Sequence, residues 1–304
     1  MKEIPRITIG LTISCLVAAL VMGSVFAVTD KAKKHNEHMN VQETMMGLLG
    51  YGKAKPAPSD LKLHTFYRYI IDDGGVSYLG YLLPVASGEK KGHTLLIIDL
   101  KGACIDRLDV PITPEAAIEA PVRETAIRGV IKPPRRFTYG DSAIIAKQGD
   151  KRMAYLLPGA FPGFKTFIKA MLAIDPAFNV IGLEIMEHEE DPGLGGEISQ
   201  EYFKNQFKGK SFEKMKELGV VKEPLPEEYR NYLETKKWKE GAFTAQNIEE
   251  IRKKYQDKDV YALTGATISS KAVTGGVKNI VRKFAYRVKA LDDVIASEKV
   301  PVAF

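Results

Sequence analysis

"LTGATISSKAVTGGVKNIVRKFAYRVKAL", Leu263 to Leu291, sets a cluster of small hydroxyl residues immediately before a run with helical periodicity. Val273, Val277, Ile280, Val281, Phe284 and Val288 recur at the i, i+4, i+7, i+8 spacing of one buried stripe. Lys278, Arg282, Lys283 and Arg287 line the other side and lie towards the C-terminal half, where cations complement the helix dipole. The spacing predicts a helix over Ser270–Leu291. Its apolar stripe requires a second layer to lie on.

That layer is sought upstream, where apolar runs at Val76–Val85, Thr94–Leu100 and Cys104–Val110 read as strands. The pattern then recurs. "YLLP" at Tyr81 returns 74 residues later at Tyr155, and "TLLIID", ending at Asp99, is echoed by "KAMLAID", ending 76 residues later at Asp175. Each copy continues through a turn into a further strand, "ACIDRLDV" and "NVIGLEI". A strand-turn-strand unit present twice points to duplicated halves of one sheet system, since a solenoid would need roughly three copies or more. The expected fold is therefore α+β: a mixed, largely antiparallel sheet with the C-terminal helix packed across it.

The remaining stretches divide the chain. Ile7–Val28 carries no charge and is long enough to cross a bilayer as a helix, longer than the apolar core of a signal peptide. Residues 1–30 are read as a membrane anchor. Lys2 and Arg6 before it and Lys31, Lys33 and Lys34 after it nearly balance, so charge does not orient it. Residues 31–62 read as a short helix and a Pro/Lys/Ala-rich stalk, and 63–149 as an additional β-rich subdomain. The five prolines between Pro111 and Asp141, around one short helical stretch, suggest an excursion from the core. Residues 150–304 form the last domain, with a charged helical insertion over 211–258 that contains Trp238. The 44 basic and 38 acidic residues are dispersed, which argues against nucleic acid as a partner. Cys15 and Cys104 form no metal- or haem-binding spacing.

Two segments carry chemistry. In TGATISS, a helix cap by Ser269 or Ser270 would account for one hydroxyl. It leaves Thr264 and Thr267 without a task, and Gly265-Ala266 is small enough to admit a bulky group. No Glu or Gln follows at capping-box spacing. A helix N-terminus beside Lys271 favours a phosphate, although neither the Walker A nor the GxGxxG spacing is present. The plain cap and the phosphate site both stay open on these residues. The second segment is "EIMEHEEDPGLGGEI", Glu184–Ile198. His188 and its acidic neighbours are crowded on consecutive positions, which opposes a metal site, whereas the glycines permit close approach of a flat ligand.

Together these segments resemble the covalent-FMN-binding subunits of membrane respiratory complexes, the G subunit of the Rnf ion-translocating complex and the C subunit of the sodium-pumping NADH:quinone reductase. His188-Glu189-Glu190-Asp191-Pro192-Gly193-Leu194-Gly195 is similar to H-x-E-T-P-G-L-G, Gln206-Phe207-Lys208-Gly209-Lys210 to Q-F-x-G-K, and Thr264-Gly265-Ala266-Thr267-Ile268-Ser269 to [ST]-G-A-T-x-[ST]. The resemblance implies FMN joined by a flavin transferase, through its phosphate, to the last hydroxyl of that motif, Ser269. Thr267 and the helix N-terminus would hold the phosphate. Thr264, Gly265, Ala266, Lys271, His188, Glu190, Pro192, Gly193, Leu194 and Gly195 would complete the cofactor site, with no catalytic residue and no metal. It further implies an electron relay in an ion-translocating oxidoreductase, coupled to Na⁺ or H⁺. Its partners would be other membrane, iron–sulfur and flavin subunits, in the inner membrane with the soluble part outside the cytoplasm. The QFxGK element favours the Rnf type. Two positions depart from the pattern: Tyr261 stands where the family carries Asp, with Asp259 two residues before, and Asp191 replaces Thr. A flavin-free scaffold and a module for free FMN are the competing readings.

Overall fold

The computed structural model describes residues 3–85, 92–239 and 241–304; Lys2, one of the flanking cations, lies outside them. The chain divides into two compact units, Met1–Gly47 and Leu48–Phe304. The first is helical. Helix α1 (Glu3–Leu48) contains Ile7–Phe26, a stretch of mean hydropathy 2.3 with none of it buried, long and apolar enough to cross a membrane. The stretch expected to be a short helix and stalk continues α1 without a break to Leu48, and only residues 49–60 before the first strand are irregular.

The second unit is built on one antiparallel sheet of eight strands: β1 (Leu61–Asp73), β2 (Val76–Val85), β3 (Gly92–Ile98), β4 (Cys104–Val110), β5 (Arg136–Gln148), β6 (Lys151–Pro162), β7 (Phe167–Ile174) and β8 (Val180–Glu187). The order β4-β3-β2-β1-β5-β6-β7-β8 makes it two four-stranded meanders joined along β1 and β5, and it runs unbroken past residue 149. The two copies read in the sequence occupy equivalent places. Tyr81 and Leu83 on β2 and Tyr155 and Leu157 on β6 enter the same core, as do Leu96 and Ile98 on β3 and Leu172 and Ile174 on β7. The turns that follow match bond for bond. Asp99 Oδ1 accepts from Lys101 N and Ala103 N, and Asp175 Oδ1 accepts from Ala177 N and Asn179 N.

Strand alternation sends apolar residues to both faces of the first meander. One face, with Tyr69, Leu82, Leu95 and Ile97, is covered by α2 (Pro114–Ala117) and α3 (Ala120–Val130), whose Ile127 is fully buried there. The proline-rich stretch expected to leave the core therefore packs on it. Two of its five prolines, Pro114 and Pro121, lie at the starts of the two helices, where their missing N–H costs nothing, and Arg136–Asp141 is already strand β5.

After β8 come a 3₁₀ turn (Gly195–Ser199), α4 (Glu201–Lys204), α5 (Phe212–Glu217), β9 (Val220–Val221), α6 (Glu227–Leu233), α7 (Ala245–Tyr255), β10 (Val260–Tyr261) and α8 (Thr267–Ser297). Strands β9 and β10 pair in parallel. The expected C-terminal helix is present and longer than its apolar repeat, about 46 Å at ~1.5 Å per residue. It lies on the sheet face opposite α3, burying Val273, Val277, Val281, Phe284 and Val288. The chain end then returns to the first meander, where Ala303 N donates to Pro84 O and Phe304 packs on Phe66.

The helix crosses β6 at glycines. A Cβ on Gly276 would stand 2.1 Å from the buried Phe161 ring, and one on Gly159 2.4 Å from Ile280 Cδ1. Neighbouring Gly275 faces open space. Gly276→Ala is expected to cost about 1–3 kcal/mol by overpacking. Gly275→Ala is expected to add about 0.5–1 kcal/mol through helix propensity. Denaturant unfolding of the two variants in detergent, followed by circular dichroism, checks the opposite signs.

Candidate functional site

The site forms where three separate stretches meet: the β6–β7 loop, the segment after β8, and the N-terminus of α8. Glu190 is the residue they share, at 5% exposure. Its Oε1 accepts from Phe164 N at 2.7 Å and Lys165 N at 3.2 Å, and its Oε2 accepts from the Ser269 hydroxyl. A buried carboxylate needs several donors to offset lost hydration, and these three supply them. The enclosure depends on glycines. A Cβ on Gly163 would stand 2.4 Å from Glu190 Oε1, and one on Gly195 would meet Glu190 Oε2 at 2.6 Å and Ser269 Oγ at 2.8 Å. Gly163, Phe164 and Lys165 were not singled out in the sequence. Only the Pro162-Gly163 dipeptide marks the loop, and nothing local names a partner 26 residues away.

Helix α8 begins at Thr267, two or three residues before the serines expected to cap it. Ser269 and Ser270 are inside its first turn, so neither can be an N-cap. Ser270 instead accepts from Leu263 N at 3.0 Å and donates to Ala266 O, tying the loop to the helix. No side chain caps this terminus, and the N–H groups of Thr267, Ile268 and Ser269 find no acceptor among the described residues. Three such donors at the positive end of a long helix form an anion site. Gly265 adopts φ +77°, a left-handed conformation that suits glycine.

The expected hydroxyls differ in access. Ser269 is 2% exposed, whereas Thr267 is half-buried and Thr264 exposed. Ala266 is buried and Lys271 exposed. Around this end, Leu194, Ile268 and Phe164 are exposed apolar side chains, at 47%, 58% and 63%. A Cβ on Gly265 would stand 3.0 Å from Leu194 Cδ2, so the PGLG turn and the TGAT turn are adjacent. Pro192 and Gly193 are exposed on the same turn. His188 Nδ1 accepts from Glu190 N at 3.2 Å, and Asp191 pairs with Lys165 at 2.5 Å. The uncapped donors, the small residues beside them and the apolar rim are the donor set and cradle that a phosphate-bearing flavin requires.

The Gln206–Lys210 element braces this loop from behind. Gln206 Oε1 accepts from Tyr261 N at 2.8 Å and its Nε2 donates to Tyr261 O, clamping the backbone three residues before Thr264. Lys210 is fully buried and donates to Gln256 O at 3.0 Å and Lys258 O at 2.6 Å. It thereby stops the carbonyl end of α7. Asp259 accepts from Lys214 Nζ at 2.7 Å and Gly219 N at 3.1 Å, so it is committed to the scaffold.

Residues 163–282 match the FMN-binding domain family, a range that contains all three motifs. Over 138 residues the chain is 34% identical to the G subunit of the proton-translocating ferredoxin:NAD(+) oxidoreductase complex of Clostridium ljungdahlii; the match covers 45% of this chain and 57% of that one. Among solved structures it is similar to NqrC of Shewanella oneidensis, with 20% identity, TM-score 0.34, 48% of this chain and 57% of that one. It is also similar to the C subunit of the Na(+)-translocating NADH-quinone reductase of Parabacteroides distasonis, with 18% identity, TM-score 0.34, 65% of this chain and 75% of that one. The resemblance read from the motifs is borne out by the FMN-binding family match and by the similarity to the G subunit, and the matched part is about half the length of that curated relative.

Burial is the main reason that the Lys210 ammonium is brought down to about 8 from an ordinary 10.5, with the neighbouring Lys214 charge acting in the same direction. Between those values the unfolded chain binds more protons than the folded one, so this group makes stability rise with pH. The advantage of wild type over Lys210→Met is expected to grow by on the order of 1–2 kcal/mol from pH 7 to pH 9.5. Paired denaturation midpoints at the two pH values measure it.

Proposed function

We propose that the chain is a membrane-anchored electron-transfer subunit of an ion-translocating oxidoreductase of the Rnf type, carrying covalently attached FMN. The observation that carries this reading is the uncapped N-terminus of α8, set against the Gly193–Gly196 turn with a solvent-accessible threonine at its first position. FMN, when bound, supplies electron transfer between carriers of different potential. The protein's residues bind, orient and shield it. Free N–H groups of the first helical turn and Lys271 attract the phosphate. Leu194, Ile268 and Phe164 offer apolar surface to a flat ring, and Glu190 keeps the three stretches in register.

Attachment at the last hydroxyl of the motif, Ser269, would place a phosphate in a closed space against the Glu190 carboxylate, where like charges repel. Thr267, two residues earlier on α8, is the accessible hydroxyl in that turn, and we assign the phosphoester to it. Ser269 then serves as the donor that holds Glu190. The partners in this reading are a flavin transferase for maturation and the other membrane, iron–sulfur and flavin subunits of the complex. Ile7–Phe26 is the anchor, with the rest of the chain on the extracytoplasmic side, coupled to Na⁺ or H⁺ transport. The division into an anchor (1–30), a linker (31–62), a first β-rich part (63–149) and an FMN-binding part (150–304) is part of this reading, with one sheet running through both β-rich parts.

Full-length chain co-expressed with a flavin transferase, denatured and digested, is expected to carry one FMN less one water on the peptide containing Thr267. Thr267→Ala abolishes that mass gain, and Ser269→Ala keeps it in part. Loss in Ser269→Ala with retention in Thr267→Ala returns the attachment to Ser269. Flavin that leaves on denaturation marks a non-covalent module, and a chain colourless throughout marks a flavin-free scaffold.

A further inference from the structure

The helical insertion contains a second cavity, separate from the α8 terminus, of about 540 Å³. That is within the size range of small-molecule sites. Its walls are aromatic. Tyr229 and Tyr255 stack with ring centres 4.2 Å apart and planes 7° from parallel; Tyr232 lies 6.2 Å from Tyr229, and Trp238 lies 5.9 Å from Tyr232. A structural cluster of this kind normally closes on itself. Here it is left with an opening between the rings, and Ile248 supplies an aliphatic wall.

Polar groups face the same space. Tyr229 is 6% exposed and lines the cavity, and its hydroxyl makes no hydrogen bond among the described residues. That hydroxyl is free to donate to a ligand atom. Two cations stand at the rim. Lys208 is exposed and makes no ion pair among the described residues, and Arg252 has only a loose, exposed contact with Glu249 at 3.8 Å. Of the other nearby carboxylates, Glu228 is engaged by Lys254 at 2.5 Å and by the Tyr255 hydroxyl, and Glu201 accepts from Lys236 N at 3.0 Å and pairs with its ammonium. Net positive charge therefore remains at the mouth. Burial and the adjacent Tyr232 push the Tyr229 phenol well above its ordinary range, so it stays a donor.

We infer that this cavity binds a planar aromatic molecule bearing an anionic group, its ring lying among Tyr229, Tyr232 and Trp238 and its charge facing Lys208 and Arg252. Ring faces favour a flat π-system over an aliphatic chain of the same size. A bidentate guanidinium with a nearby ammonium favours a carboxylate or sulfonate over a neutral group. The site is also connected to the first one. Tyr229 meets Tyr261 edge-on at 6.2 Å, and Tyr261 is the residue clamped by Gln206 ahead of TGAT.

Trp238 is the single tryptophan of the chain, so intrinsic fluorescence reports on this cavity directly. Anthraquinone-2-sulfonate is titrated into the full-length chain in detergent, with equilibrium dialysis against chain and empty micelles as a second readout. Saturable one-to-one quenching is expected, at least tenfold weaker with the uncharged sulfonamide and with the Lys208→Gln/Arg252→Gln double variant. Ile248→Phe narrows the cavity and is expected to abolish binding by dialysis. Thr267→Ala is expected to bind the probe as wild type does, which separates this site from the flavin reading. Absence of saturable binding overturns the inference. So does binding that the double variant and Ile248→Phe leave unchanged while their circular dichroism is native, because the probe then sits elsewhere.

Discussion

The antiparallel ladder between β1 and β5 is the interaction on which the rest of the molecule depends. Each meander alone would be a four-stranded sheet with an exposed first edge, open to pairing with another chain. The ladder pairs those two edges with each other, from Leu61 opposite Gln148 to Asp72 opposite Arg136, with one irregularity at Arg68 and Tyr69. It converts two small sheets into one continuous surface. Helix α8 lies on β6 and β7 of the second meander: its start is held by Ser269 on that meander's loops, Arg287 reaches the seam at Asp141 on β5, and the tail that follows the helix is held by Pro84 on the first meander. The α8 terminus is thus positioned by long-range structure and not by its own loop.

Glu190 translates that architecture into a site. Its carboxylate is bonded to backbone from one loop and to a hydroxyl from the helix, and two glycines leave room for nothing larger. A single anion thus fixes which hydroxyl of the first turn is occupied and which is available. The three open N–H groups of the same turn carry the opposite local charge. Negative and positive ends stand within one helical turn, so the helix start distinguishes a scaffold side from a ligand side.

Much of this was legible from residue patterns. Apolar alternation placed β2 and β4 at their observed bounds, and the repeated YLLP motif marked corresponding strands of two halves. The C-terminal helix was visible in its 3.6-residue stripe. The misreadings have physical causes. Helix α1 extends to Leu48 through polar helix formers that carry no apolar stripe. Between Pro111 and Asp141 one short helical stretch was legible where two helices form, because prolines read as breakers unless they sit at the start of a helix. The serines of TGATISS looked like caps because Ser is a favoured cap, while the helix had already begun at Thr267. Glu190 was recognisable as part of a motif, but its hold on Phe164, Lys165 and Ser269 is a tertiary contact with no sequence period.

The paired turns after β3 and β7 keep the aspartate and its hydrogen bonds but differ in the residues that follow, the one with positive φ among them. Gly102 takes φ +88° in the first, and Phe178 takes φ +67° in the second. A phenylalanine there accepts roughly 1–2 kcal/mol of backbone strain that glycine avoids. In return its ring is buried at 6% exposure, stacked on Tyr155 and tilted against Phe212. Phe212 opens α5, the first helix of the insertion. The same turn thus exists in the molecule as a relaxed copy that ends in solvent and a strained copy that anchors new structure.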